Sequence, residues 1–155
     1  MSESSGVEIF FYHLQRQPLA AVLPQLVEKS LERGWRVVIQ ATSEERIAAL
    51  DDHLWIFTDE SFVPHARDRD ADAERDPVVL TLAGTNPNGA QVRFLVENAA
   101  LPDDAGNYRR IVVLFDGNDE DALALARATW RTVRESGYQA TYWQQNDSGR
   151  WEKKA

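Results

Sequence analysis

Residues 7–40, VEIFFYHLQRQPLAAVLPQLVEKSLERGWRVVIQ, decide the fold. Val7–Leu14 is dense in β-branched and aromatic side chains and predicts a buried strand. Pro18 then opens a helix, since its fixed φ suits the first turn and its missing N–H is not needed there. Leu19, Val22, Leu23, Leu26, Val27 and Leu31 recur at helical spacing until Gly34 stops the run. Trp35–Gln40 is a second apolar strand. A strand, helix and strand of this length imply parallel strands with a right-handed crossover, which predicts an α/β sheet covered by helices.

Downstream, Thr42 and Glu45 have capping-box spacing for a helix running through Leu50 to about Trp55. Residues 64–77, PHARDRDADAERDP, carry almost no apolar content and predict a polar loop. Val78–Leu82 and Val92–Val96 read as strands joined by AGTNPNGAQ, and its turn residues predict an antiparallel pair. Arg110–Phe115 is another buried strand, Asp119–Ser136 a long helix ended by Gly137, and Tyr138–Gln144 a last strand before a polar tail at 145–155. The expectation is one domain over 1–155, a single-domain Rossmann-like α/β fold whose mixed, mostly parallel sheet is flanked by helices.

With 155 residues the chain can bury about two-thirds of its unfolded surface without covalent staples. It has no cysteine, so disulfides and thiolate metal sites are excluded and a reducing cytoplasm is the natural setting. No apolar run approaches the roughly 18 residues of a membrane helix, and the start MSESSGVEIF does not read as a signal peptide. The net charge of −8 disfavours direct wrapping of nucleic acid. Residues 127–155 nevertheless carry six Arg and Lys against three Asp and Glu, a cationic end suited to an acidic peptide.

A nucleotide site would begin at the turn after the first strand. That turn, HLQRQPLA, lacks the glycines that let backbone N–H groups approach a pyrophosphate, so the fold is expected without a nucleotide-binding loop or cofactor. The run from Gly84 to Gly89 lies between two strands, with no helix to supply a dipole. Asp116, in FDGNDEDAL, stands where an α/β enzyme keeps a metal-binding carboxylate, but Gly117 and Asn118 make a turn there and Asn118 or Asp119 caps the helix. His13, His53 and His65 are dispersed without metal-site spacing. Neither a catalytic set nor a metal site is expected.

The long helix carries the positive signal. With Arg127 at 0° and about 100° per residue, Trp130 falls near −60°, Arg131 near +40° and Arg134 near −20°, one narrow stripe. The neighbouring face, with Ala122, Leu125, Ala126, Thr129 and Val133, is expected to pack on the sheet. An aromatic wall beside guanidinium forks suits an apolar side chain next to a carboxylate, although a solvated face whose arginines complement the helix dipole would look the same. A second stretch, Leu50–His65 (LDDHLWIFTDESFVPH), places Trp55, Ile56, Phe57, Phe62 and Val63 in a helix end and loop, where they either wedge into the core or form a patch.

The FFYHL strand, the GWRVVI strand, the LDxxLW…ESFVPH block and the ARATWRTVRESGY helix end together resemble the chi subunit of bacterial DNA polymerase III over nearly the whole chain. The resemblance implies a non-enzymatic clamp-loader accessory with a nucleotide-binding-like fold and no nucleotide. One face would bind the psi subunit through Trp55 and Phe62, with Val63 and Pro64 beside them. Another would bind the acidic C-terminal tail of single-stranded DNA-binding protein through Arg127, Trp130, Arg131 and Arg134, with Trp130 where tyrosine is common and Arg131 where lysine is common. DNA would be met only indirectly. The competing reading is an α/β nucleotide-dependent hydrolase or transferase using Asp116 and His13, and a third is a generic interaction domain docking through the aromatic stretch.

Overall fold

The computed structural model describes residues 6–15, 17–56, 66–67 and 75–155, with the backbone alone at 53–56 and 66. In chain order the elements are β1 (Glu8–Leu14), α1 (Leu19–Glu32), β2 (Val37–Gln40), α2 (Glu44–Ile56), β3 (Ala66–Arg67), β4 (Val78–Thr81), β5 (Val92–Leu95), β6 (Arg110–Asp116), α3 (Glu120–Glu135), β7 (Gln139–Gln145) and β8 (Trp151–Lys153). Among the described residues the strands form one sheet in the order β3-β4-β2-β5-β6-β1-β7-β8. Every neighbouring pair is parallel except β7 and β8.

Alternation along the strands sends side chains to two cores. Leu14, Ile39, Leu80, Phe94 and Leu114 meet α1 and α2 on one face through Val22, Leu23, Val27, Ile47 and Leu50. Ile9, Phe11, Val113 and Phe115 meet α3 on the other through Ala122, Ala126 and Val133. The strands and helices therefore make the three layers expected of a doubly wound sheet.

The structure corrects three expectations. β4 and β5 do not pair with each other, because β2 lies between them and both run parallel to it, with Val37 opposite Val78 on one side and Val92 on the other. All four residues of each are buried, the signature of central parallel strands covered on both faces rather than of a hairpin. The cap of α2 is Ser43, whose Oγ accepts the Arg46 N–H at 3.2 Å. Thr42 instead gives its N–H and hydroxyl to Glu97 at 3.1 and 2.9 Å, where an anionic acceptor makes the stronger hydrogen bond. The polar tail also folds back. Asn146 Oδ1 accepts from Ser148 N and Arg150 N, Gly149 takes φ +84°, and Trp151 returns the chain as β8 with its ring 4.9 Å from that of Tyr12.

Candidate functional site

Two places merit comparison. The first is the crevice at the carboxyl ends of β1, β5 and β6, of about 570 Å³, where α/β sheets commonly bind ligands. Its acids have structural partners. Asp116 accepts the Asn118 N–H at 2.9 Å, and Asp119 accepts from Asp121 N and Ala122 N at 2.9 and 3.3 Å, so the cap occupies the amides at the start of α3 that a phosphate would need. Asn118 closes the turn by donating to Gln15 O at 3.3 Å.

His13 is 8% exposed, and its ring packs so closely on Gly117 that a Cβ there would overlap it. Its Nδ1 lies 2.6 Å from the Tyr142 hydroxyl, across the sheet on β7. Burial, and then the Arg127 guanidinium, push the imidazole below the usual histidine range against a pull from Asp116. His13 thus faces the α3 side of the sheet and does not line the crevice with Asp116. Among the described residues no group of three His, Asp or Glu could hold a metal ion.

The second place is the outer border of α3. The helix starts at an Asp119 cap and ends at Gly137, whose φ of +82° terminates it without strain. Ala122, Ala126 and Val133 anchor it to the sheet. Small alanines let it approach closely, which brings the half-buried Trp130 edge-on to Phe11 of β1 at 5.2 Å and to Tyr142 at 5.9 Å. Arg127, Arg131 and Arg134 are exposed beside it, and the Arg134 guanidinium stands 5.8 Å from the Trp130 ring centre.

Arg127 also acts on Tyr142, whose phenol burial pushes up while the guanidinium partly offsets the shift. The arrangement is an aromatic floor, Trp130 and Tyr142, fringed by fixed positive charge. It can hold an apolar ring and a carboxylate together. Leu125, expected on the packed face, is instead 42% exposed, because it sits about 80° round the helix from the centre of the buried stripe. Thr129, also expected there, is half-buried.

Sequence reasoning missed Tyr142 and His13 as neighbours of the stripe. Alternation in QATYWQQ puts Tyr142 on one face, but only the pairing of β7 with β1 brings that face under Trp130. Trp55 lies in the last turn of α2 with its side chain outside the described residues, and Phe62, Val63 and Pro64 lie wholly outside them, as does His65.

Residues 7–141 match the family model of the DNA polymerase III chi subunit, HolC. The chain belongs to that family. It is 32% identical over 116 residues to the DNA polymerase III subunit chi of Pseudomonas aeruginosa, covering 74% of this chain and 78% of that one. It is 24% identical over 115 residues to the probable DNA polymerase III subunit chi of Rickettsia prowazekii, covering 68% and 67%. The matched span contains all of α3, and so Arg127, Trp130, Arg131 and Arg134 of the chi-family chain.

Proposed function

We propose that this chi-family chain is a non-catalytic accessory subunit of DNA polymerase III, working in the cytoplasm, that links the clamp loader to single-stranded DNA-binding protein. The observation that carries the reading is Trp130, half-buried on Phe11 and Tyr142 and bordered by three exposed arginines, in a chain whose net charge is −8. An acidic tail ending in an aromatic residue matches that chemistry. Its terminal carboxylate would take the Arg131 fork, its ring would lie against Trp130, and upstream acids would lie near Arg127 and Arg134. On the other side Trp55, Phe62, Val63 and Pro64 would meet psi or an equivalent clamp-loader component, with DNA reached only through these partners.

Titration of a labelled acidic peptide ending in Phe against the wild type and the Arg127→Ala, Arg131→Ala and Arg134→Ala variants tests the tail site. A short peptide losing chain entropy on docking should bind with Kd on the order of micromolar, weaker at higher salt. Arg131→Ala should lose more affinity than Arg134→Ala. Equal binding by all folded variants, or by a peptide lacking its terminal Phe, would rule the site out. For the psi side, Phe62→Ala should melt like the wild type yet lose about 2 kcal/mol of binding to psi; full binding by the folded variant would remove that assignment.

A further inference from the structure

The sheet face opposite α3 carries a second candidate site. Alternation on β1 and β7 turns Phe11 and Tyr142 toward α3, while Phe10, Tyr12 and Trp143 point to the α1 side. There they floor a groove of about 630 Å³ between the sheet and the second half of α1. Phe10 meets Trp143 edge-on at 6.0 Å, and Tyr12 lies nearly parallel to Trp143, at 16° and 6.2 Å. All three rings remain half-buried. The volume is of the size that takes a small ligand or a few peptide side chains.

The surroundings are cationic. Lys29 and Arg33 stand exposed on the α1 rim, and Arg110 of β6 holds its guanidinium 4.3 Å over the Phe10 ring. Glu32 lines the same groove and Glu8 pairs with Arg110 at 2.8 Å, which leaves one positive charge in excess on a chain of net −8. Among the described residues Arg110 Nε and Trp143 Nε1 find no hydrogen-bond partner, and both are screened from water. Both lie beneath the groove's surface, so what the groove offers a ligand is its ring faces and the cations around them.

We propose that this groove docks a short acidic peptide segment of a partner protein, with an apolar or aromatic side chain on the Phe10–Tyr12–Trp143 floor and carboxylates against Lys29, Arg33 and Arg110. A single excess charge favours a peptide over a nucleic acid, whose binding rests on neutralising several phosphates. The site is independent of the α3 stripe, since the two lie on opposite faces of the same strands.

The test uses an amidated synthetic peptide alternating aspartate and phenylalanine, which has no terminal carboxylate, titrated into the ¹⁵N-labelled full chain. The indole N–H of Trp143 and the amides of Lys29 and Arg33 are expected to shift. Charge reversal at both rim cations, Lys29→Glu with Arg33→Glu, should weaken binding at least about tenfold. Trp143→Leu, which removes a floor ring and keeps apolar bulk, should weaken it several-fold, and Arg131→Ala should leave it unchanged. Shifts confined to α3, no shifts at all, or unchanged affinity in the rim and Trp143→Leu variants would overturn the proposal. So would an oligothymidylate that shifts the same resonances at lower concentration, which would assign the groove to single-stranded nucleic acid. Shifts confined to α3 would assign this peptide to the stripe, while the other results leave the α3 site untouched, since its test depends on Arg131.

Discussion

Arg93 shows how one side chain can hold several segments together. It is fully buried in β5, and all its N–H groups are used: Nε and Nη2 donate to Gln40 Oε1, Nη2 also to Ala83 O, and Nη1 to Thr85 O and the Tyr108 hydroxyl. Every one of those acceptors is neutral, so the charge is held by ion–dipole hydrogen bonds and by the Tyr108 ring, 5.8 Å from the guanidinium carbon. Lysine offers three donors from a single point and cannot reproduce the fork. Arg93→Lys should therefore leave buried carbonyls unsatisfied and cost about 3 kcal/mol, read from urea unfolding; a loss under about 1 kcal/mol would mean the 83–85 segment rearranges freely. Glu97 is the second such residue. Burial opposes its charge, but hydrogen bonds from Thr42 and Ser43, with Arg46 at 3.6 Å, outweigh it and hold the carboxyl below the usual carboxylate range. A depressed folded pKa stabilises above the unfolded value, and that contribution disappears as pH falls through the folded one. Melting curves from neutral to acid pH should show Glu97→Gln losing less stability on acidification than the wild type. Parallel pH profiles would show that the carboxylate is immaterial.

Among the elements, α3 was the most legible in sequence and also marks where legibility stopped. Its 3.6-residue period revealed the stripe of Arg127, Trp130, Arg131 and Arg134, because a helix maps spacing directly onto direction. The same period could not define how wide the buried stripe is, since that depends on how closely the helix sits on the sheet. Periodicity alone consequently points Leu125 inward, yet it stands 42% exposed, whereas Val133 has no exposed surface. Val133→Ala should cost about 2 kcal/mol and Leu125→Ala less than about 0.5 kcal/mol, both measured by chemical denaturation. Comparable losses would mean that Leu125 has a partner on the α3 surface. β4 and β5 were legible as strands from their apolar runs, but pairing is a long-range property. Nothing in residues 82–91 indicates that β2, some fifty residues upstream, occupies the space between them.

For the whole molecule, the layers and the predominance of parallel strands followed from the single crossover in residues 7–40, while the order of the strands did not. The C-terminal segment illustrates why. Its composition is polar, and only Trp151 and the Asn146–Gly149 turn betray β8, yet Trp151 packs on Tyr12 and so completes the far end of the sheet. Ending the chain at Gln145 should cost about 2 kcal/mol through loss of that aromatic contact and its buried area, seen as an earlier thermal transition. A melting curve identical to that of the full chain would make β8 dispensable.

The antiparallel return of β8 also has a colloidal consequence. Residues 151–155 take up the outward backbone groups of β7, with Lys154 N donating to Tyr142 O at 2.7 Å and Tyr142 N to Ala155 O at 3.3 Å. Stripped of that cover, seven residues of extended chain, Tyr142 and Trp143 among them, would offer a free row of N–H and C=O groups to the same row on another molecule. Lys153 and Lys154, sitting on the cover itself, add a charge that discourages such pairing. The shortened chain should therefore self-associate as its concentration rises, visible in sedimentation or light scattering, where the full chain stays dispersed. A shortened chain that remains monomeric at the same concentrations would show that twist alone keeps the border of this sheet from finding a mate.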